Sequence, residues 1–260
     1  MGKYLTSVIK MQFNQNSQIE ENPLLAYFIA NGGNIIHKWV DYFEIYHKFL
    51  NKFRNKPIKL LEIGVQNGGD IQMWKKYFGP QLEIVGIDID PACKNLETNN
   101  VEIWIGDQAD PAFLEELKAD HSEFDIIIDD GGHTMQQQIT TFEHLFPTLK
   151  DGGIFICEDT HTSYFPAHGG GINKKDTFIE YAKNLIDEMH AWYHAPLAEI
   201  PNNWLTSHLH SISFFDSIVA FEKRSKNPPL ILARGQQGHM PPPAAMSFLD
   251  MRRAFGVPDQ

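Results

Sequence analysis

The stretch F-D-I-I-I-D-D-G-G-H, residues 124–133, joins a short apolar run to two carboxylates, two glycines and a histidine. Phe124 and the isoleucines at 126–128 are too few for a helix and are typical of a buried strand. A second apolar run, G-I-F-I-C at 153–157, also ends in two acidic residues. Ligands of open α/β sheets lie outside the carboxyl ends of the strands. If these two strands are neighbours, one rim gathers Asp129, Asp130, Glu158 and Asp159 with His133.

The four carboxylates of this rim would repel one another, and each would have a raised pKa. A bound divalent cation relieves that repulsion, and hard oxygen ligands suit Mg²⁺, Mn²⁺ or Ca²⁺ better than zinc. The alternative is that the carboxylates cap helix N-termini, as most aspartates that follow a strand do. We take the metal site as the prediction and keep helix capping as its alternative.

The composition is that of an acidic globular protein, with 260 residues, 42% of them hydrophobic, and a formal net charge of −11. This length predicts one large α/β domain, or one domain with appendages. Because no basic run is present, a nucleic-acid or anionic-membrane partner is not expected. Cys93 and Cys157 have no metal or redox spacing, and neither a membrane-length apolar run nor a signal-peptide pattern occurs. A cytoplasmic location is therefore predicted.

Five apolar strands alternate with helices between residues 58 and 157, which predicts a parallel sheet with right-handed crossovers. Two further strands, Leu209–Phe215 and Ile218–Glu222, are typical of a terminal hairpin. The predicted fold class is therefore α/β, Rossmann-like, with a mostly parallel seven-stranded sheet, a C-terminal antiparallel hairpin and helices on both faces. The five parallel strands are predicted at Ile58–Ile63, Leu82–Ile87, Val101–Ile105, Phe124–Ile128 and Gly153–Cys157.

The chain divides into an N-terminal helical preamble at 1–56, a main domain at 57–224 and a proline-rich tail at 225–260. A possible short helix over Ala244–Phe255 is expected to pack the tail on the domain or on a neighbouring subunit. Within the preamble, apolar residues at helical spacing predict a helix over Ile35–Phe53. Its aromatic-rich face is interpreted as a packing surface and includes Trp39, whereas its polar members, which could line a site, are Lys38, Tyr42 and Tyr46.

The first predicted strand runs into a glycine-containing loop, G-V-Q-N-G-G-D at 64–70, and then into a helix. A dinucleotide fingerprint would need glycine where Gln66 stands, and the lysine of a Walker loop is missing. Acidic residues at the ends of the next two strands instead suit a nucleoside without phosphates. We predict that Asp88 accepts both ribose hydroxyls, that Asp107 accepts an adenine amino proton, and that Glu62 supports a cationic amine.

These motifs together resemble those of a known family. L-E-I-G at 61–64, G-I-D at 86–88, G-D-Q at 106–108 and the terminal hairpin resemble class I S-adenosylmethionine-dependent methyltransferases. More narrowly, D-D-G-G-H at 129–133, with E-D at 158–159 and T-S-Y at 162–164, is similar to the metal-dependent sugar O-methyltransferases of macrolide biosynthesis, of the mycinamicin and macrocin type. The resemblance covers about residues 35–223. Asp70 departs from it, because a serine often stands there in the family.

The resemblance implies the class I methyltransferase fold, with S-adenosylmethionine and Mg²⁺ or another divalent cation as cofactors. It implies Asp130, Glu158 and Asp159 as the metal ligands and His133 as the general base. The predicted cofactor-binding residues are Glu62, Gly64, Gln66, Gly68, Asp88, Asp107 and Gln108.

The expected function is a metal-dependent O-methyltransferase that acts on a hydroxyl of a sugar or glycosylated natural product. A sugar hydroxyl is a poor nucleophile, so a metal that stabilises the alkoxide and a neutral histidine that takes the proton would both be needed. The long loop at 158–171 is predicted to contact the acceptor through Thr160, His161 and Tyr164. A homo-oligomer is expected. The alternatives are a catechol-type O-methyltransferase, a hydroxylase related to antibiotic-pathway proteins, and a non-catalytic adenosine-ligand binding protein on the same fold.

Overall fold

A computed structural model of the chain describes residues 22–194, 202–230, 232 and 234–235. In this part of the chain the strands are β1 (Ile58–Ile63), β2 (Leu82–Asp88), β3 (Val101–Ile105), β4 (Phe124–Asp129), β5 (Leu149–Cys157), β6 (Leu209–Phe214) and β7 (Val219–Lys223). They form one seven-stranded sheet in the order β3-β2-β1-β4-β5-β7-β6. β1 to β5 are parallel, whereas β7 pairs antiparallel with both β5 and β6. The predicted fold class is confirmed.

Helices cover both faces of the sheet. Phe43 and Trp74 are fully buried in the core on one face, and Phe142 and Phe178 are fully buried in the core on the other. The longer helices contribute their apolar residues to these two cores, as amphipathic helices over a sheet must. The helices are α1 (Pro23–Ala30), α2 (Tyr42–Leu50), α3 (Gly69–Phe78), α4 (Pro111–Asp120), α5 (Met135–Leu145), α6 (Phe178–Met189), α7 (Ala191–His194) and α8 (Trp204–His208).

The register of the sheet brings the carboxyl ends of β1, β4 and β5 to the same level. Ile63 on β1 pairs with Asp129 on β4, and Asp129 pairs in turn with Cys157 on β5. Just beyond the paired strands, the amide of Asp130 donates to the Ile63 carbonyl at 2.9 Å, and the amide of Glu158 donates to the Asp129 carbonyl at 2.9 Å. The two acidic motifs therefore lie side by side at one rim, as the sequence predicts.

The prediction of one helix over Ile35–Phe53 is wrong in its first half, because α2 begins only at Tyr42. Residues 31–41 instead form an irregular segment, here named the N-terminal strap, that lies across the glycine loop. The Asn34 side chain donates to the Asn67 carbonyl at 2.8 Å. A Cβ on Gly69 would collide with the backbone of Ile35, so the strap rests directly on the start of α3. Tertiary contacts here outweigh the helical periodicity of the sequence.

Other boundaries differ from the prediction by a few residues. β5 begins at Leu149 rather than at Gly153, because its first half pairs with β4 only at Phe124. The tail beyond residue 235 and its possible helix over Ala244–Phe255 lie outside the described residues. Among the residues that the structure describes, no helix is both long and apolar enough to cross a bilayer.

Candidate active site

The glycine loop after β1 approaches the turn after β4 very closely. Gly64 has a φ of +90°, and a Cβ at this position would collide with the carbonyl of Asp130. Only glycine fits both the conformation and the space. Gln66 also adopts a left-handed φ, of 45°, and its backbone N–H donates to the Asp88 carboxylate at 2.8 Å. The loop therefore places β1, β2 and the β4 turn around a common space without the second glycine of a dinucleotide fingerprint.

That space is a cavity of about 170 Å³ at the carboxyl ends of β1, β2 and β3. Five of the seven predicted cofactor-binding residues line it, namely Gly64, Gln66, Asp88, Asp107 and Gln108, and the turn at 130–132 closes its far side. Gly68 does not line the cavity. Its φ of 72° instead serves the turn into α3, where a side chain would meet Leu96.

Glu62 also lies outside the cavity lining, but its surroundings suit a cation. Its side chain is fully buried, Oε1 accepts a hydrogen bond from the Trp74 indole at 3.0 Å, and Oε2 has no hydrogen-bond partner among the described residues. Burial and then the charge of Asp70 raise the pKa of Glu62 to about 8. Oδ1 of Asp70 is likewise buried without a hydrogen-bond partner in the described chain. Buried oxygens that lack donors are costly, so a cationic amine would fit this corner.

Gln108 has a role that the sequence did not reveal. Its amide nitrogen donates to Asp129 at 2.9 Å and to Thr141 at 3.0 Å, while its oxygen accepts from the Gly132 amide at 2.9 Å. A Cβ on Gly131 would collide with this side chain. The Gln108 amide group is therefore used to fix the turn after β4, and Asp129 is its partner rather than a member of the open rim.

Lys38 reaches from the N-terminal strap into the acidic rim. Its ammonium lies 3.0 Å from Asp70 and 2.9 Å from Glu158, and it also donates to Asp130. The side chain is only 1% exposed. Burial alone would lower the pKa of Lys38, but the neighbouring carboxylates outweigh that effect and hold the pKa well above its ordinary value. Lys38 is therefore a buried ammonium ion shared by three carboxylates.

Two tyrosines of α2 complete the inner side of the rim. Tyr46 donates to Oε1 of Glu158, and Tyr42 donates to Oδ1 of Asp159 at 2.6 Å. Burial is the main cause that raises the pKa of both phenols, so both remain protonated donors. Since Lys38 contacts Oε2 of Glu158, both oxygens of this fully buried carboxylate already have a partner.

A set of atoms suited to a divalent cation remains open beside Lys38. One ligand atom each of Asp130, His133 and Asp159 lies within 4.8 Å of the others. Two hard carboxylate oxygens at this spacing fit Mg²⁺ or Mn²⁺. The predicted ligand Glu158 is adjacent but bound to Lys38 and Tyr46, so the structure brings together Asp130 and Asp159 as open ligands and Glu158 as an occupied one.

His133 faces the same atoms. Its Nε2 lies 3.8 Å from Oδ1 of Asp130 and 3.5 Å from Oδ2 of Asp159. The residue has a φ of 56°, and its carbonyl accepts a hydrogen bond from the Thr162 hydroxyl at 2.8 Å. Burial is the main effect that lowers the pKa of His133, which favours the neutral imidazole. Thr162 is thus a positioning residue for His133. Its position in the hydroxyl-rich loop that follows a strand is the sequence feature that could have indicated this role.

The three predicted acceptor contacts are separated by the structure. His161 lines a second cavity, of about 220 Å³, together with Lys38, Trp39, Asp130 and Asp159. Thr160 is buried and does not line this cavity, and Tyr164 is half exposed but also outside it.

Trp39 was interpreted as a packing residue, and that interpretation is wrong. Its side chain is 61% exposed at the mouth of the second cavity, and its ring lies 6.0 Å from that of His161. The His161 ring lies 5.2 Å from that of Phe165. The strap thus contributes an exposed aromatic wall beside the carboxylates, which the helix prediction could not show.

The comparison with protein families agrees with this geometry. Residues 61–160 match the family model described as a methyltransferase domain. This part of the chain is therefore similar to methyltransferase domains, as the sequence motifs predict.

Relatives of assigned function are sugar O-methyltransferases of natural-product pathways. The chain is 32% identical to the 8-demethyl-8-alpha-L-rhamnosyl tetracenomycin-C 2'-O-methyltransferase of Streptomyces olivaceus, over 72% of this chain and 51% of the relative. It is 36% identical to the demethylmacrocin O-methyltransferase of Streptomyces fradiae, over 55% of this chain and 38% of the relative. The resemblance to the macrolide type is confirmed. The chain spans about two fifths to one half of the length of these relatives.

Solved structures point the same way. The MycE methyltransferase of the mycinamycin biosynthetic pathway, in complex with Mg, SAH and mycinamycin VI, superposes with a TM-score of 0.66 at 28% identity, over 78% of this chain and 53% of that chain. The MycE structure with Mg and SAH in crystal form 1 gives a TM-score of 0.69 at 26% identity, over 78% of this chain and 54% of that chain. The neighbouring structures thus contain Mg, which the sequence predicts, and SAH, the demethylated form of the predicted cofactor S-adenosylmethionine.

Proposed function

We propose that this chain binds S-adenosylmethionine and a divalent cation and transfers the methyl group to a hydroxyl of a sugar-containing acceptor. The observation that carries the proposal is the position of Asp130, which lines both the cavity at the glycine loop and the cavity below Trp39. A methyl donor in the first cavity and an acceptor oxygen in the second would meet at this residue. The Mg and SAH of the neighbouring structures support the same arrangement.

Each cofactor would be held by residues of the two cavities described above. For S-adenosylmethionine, Asp88 and Asp107 offer carboxylates to the nucleoside, and the unpartnered oxygens of Glu62 and Asp70 offer a site to the amine. For the divalent cation, Asp130 and Asp159 offer open carboxylate oxygens. The bound cation would supply positive charge to stabilise an acceptor oxygen as it loses its proton.

The protein's own part in the reaction is to place the acceptor and to remove its proton. A neutral His133 can accept the hydroxyl proton on Nε2, because its lowered pKa leaves the ring unprotonated and this atom lies 3.5 Å from Asp159, which lines the second cavity. Asp130 and Asp159 then stabilise the imidazolium that forms. Tyr42, whose hydroxyl also lies 2.8 Å from the Ser217 hydroxyl, donates to Asp159 and holds it from behind. Holding the acceptor oxygen close to the methyl donor would supply much of the remaining rate enhancement.

The cofactor site is tested by replacing Asp88 with alanine. We expect binding of S-adenosylhomocysteine, measured by calorimetry, to weaken by at least about 100-fold, because two charge-assisted hydrogen bonds of about 1.5–3 kcal/mol each would be lost. Asp90→Ala is the matched control, because Asp90 caps the turn that follows but does not line the cavity. Equal affinity in Asp88→Ala and wild type would show that the ribose lies elsewhere.

The acceptor site is tested at Trp39. Replacement by alanine should raise KM for a glycosylated acceptor by about fivefold, because about 1 kcal/mol of stacking is lost, and should leave kcat and S-adenosylhomocysteine affinity unchanged. Leu230→Ala is the control, because it removes a similarly exposed apolar side chain far along the chain. It should change neither KM nor kcat. A panel of sugar-containing and catechol acceptors separates the two enzyme classes, and the absence of transfer to any of them would favour a non-catalytic binding protein.

We also propose the division at 1–56, 57–224 and 225–260, a homo-oligomeric assembly and a cytoplasmic location. The free thiols of Cys93 and Cys157, both buried, are compatible with a reducing compartment. Size-exclusion chromatography with light scattering, before and after removal of the tail, would test the assembly and the tail's part in it.

A further inference from the structure

The Lys38 ammonium is bound to two of the three carboxylates that the sequence predicts as ligands of a divalent cation. It donates to Oδ2 of Asp130 and to Oε2 of Glu158, the latter at 2.9 Å, while Asp70 is its third partner at 3.0 Å. Asp130 and Glu158 are two of the three metal ligands that the sequence predicts. The lysine comes from the N-terminal strap, outside the region that matches the methyltransferase family model.

We propose that Lys38 is a tethered competitor of the divalent cation, which occupies the oxygens of Glu158 and Asp130 until the cation displaces it toward Asp70. This inference rests on the proposed function, because it needs the cation of that proposal. Mg²⁺ binds its oxygen ligands at about 2.0–2.1 Å. A cation at that distance from Oε2 of Glu158 would be forced close to the ammonium at 2.9 Å. Two positive charges in a buried site repel each other strongly, so the two positions exclude each other.

The structure supplies a place for the displaced ammonium. Oδ2 of Asp70 already contacts Lys38 at 3.0 Å, so the ammonium can keep this partner while the unpartnered Oδ1 stays available to the amine of the methyl donor. Moving onto Asp70 alone would keep the lysine paired and release Glu158, whose other oxygen remains bound to Tyr46.

The competition predicts that the cation site becomes stronger without the lysine. Binding of Mn²⁺ to the full-length protein, measured by electron paramagnetic resonance, should be at least about tenfold tighter in Lys38→Met than in wild type. Lys150→Met is the matched control, because it also removes an ion-paired lysine, from Asp125 at the amino end of β4, and it should bind Mn²⁺ like wild type. Equal or weaker binding in Lys38→Met would overturn the competition while leaving the proposed function intact. If neither wild type nor Lys38→Met binds Mn²⁺, both the competition and the proposed function are overturned.

A measurement on the wild-type protein covers the case in which Lys38→Met does not fold. Crystal structures determined with and without Mn²⁺ should show Nζ of Lys38 within hydrogen-bond distance of Glu158 only in the metal-free form. With Mn²⁺ located by its anomalous signal, Nζ should remain bound to Asp70 alone. A Mn²⁺-bound structure in which Nζ still contacts both Glu158 and Asp130 would overturn the inference.

Discussion

Replacing His133 with alanine should lower kcat by about 10²–10⁴-fold, the usual contribution of a general base, and leave Mn²⁺ and S-adenosylhomocysteine binding close to wild type. In the described part of the chain the imidazole approaches the rim carboxylates through Nε2, and it does not line the cofactor cavity with Gly64, Gln66 and Asp88. Because burial lowers the pKa of His133, the wild-type rate should fall only when the pH drops below the ordinary histidine value of 6.5. In the variant this acidic limb should vanish, and the rate should rise toward high pH.

His121→Ala is the control for this substitution. The pKa of His121 is also lowered by burial, but the residue lies before β4 and pairs with Glu102, away from both cavities. Its removal should leave the pH profile unchanged. A His133→Ala enzyme with the wild-type rate and the wild-type acidic limb would exclude His133 as the base.

Asp130→Asn should abolish Mn²⁺ binding and nearly all turnover while S-adenosylhomocysteine still binds. This variant keeps the shape of the side chain but removes an open, charged ligand atom. We expect Asp159→Asn to have a similar effect. Glu158→Gln should also lose turnover, but its effect includes the loss of charge pairing with Lys38, since that carboxylate is already occupied. Calorimetry with Mn²⁺ and with S-adenosylhomocysteine, together with turnover in EDTA, separates the loss of cation binding from the loss of cofactor binding and of turnover.

Helix capping predicts a different outcome for the same variants. Loss of a cap would lower the free energy of unfolding by about 0.5–2 kcal/mol and leave activity largely intact. Asp125→Asn, which changes a carboxylate at the amino end of β4, controls for the loss of one negative charge. Full activity of Asp130→Asn in EDTA would remove the cation from the mechanism and leave the methyltransferase fold alone.

The part of this site that could be predicted from sequence lies directly after strands. Runs such as F-D-I-I-I at 124–128 identify buried parallel strands, and the carboxyl ends of such strands meet at one rim. Asp88, Asp130, Glu158 and Asp159 could therefore be placed without a structure. The position of Gly64 in the loop after the first strand could be predicted equally well, because strand, loop and helix follow one another within a few residues.

The contribution of the N-terminal strap could not be predicted in the same way. Helical periodicity is a local signal, and it predicted a helix through Lys38 and Trp39. Contacts between residues that are remote in sequence outweigh this local signal. Lys38, for example, is bound to residues 92 and 120 positions away. Tyr46 is bound to a carboxylate 112 positions away. The fold brings these partners together. The sequence alone therefore identifies Lys38 and Tyr46 only as polar residues within an apolar helical pattern.

Lys38 and Trp39 are adjacent in the chain, yet the side chain of Lys38 is buried at 1% exposure, whereas Trp39 is an exposed residue. The strap therefore separates two tasks that many active sites combine in one surface. Its inward side chain is tied to the charges of the reaction centre, and its outward side chain borders the space that an acceptor would enter. A library randomised at position 39 would vary acceptor preference while leaving the buried ion network intact. For the engineer of glycosylated natural products, this strap is a place where selectivity can be changed without rebuilding the catalyst.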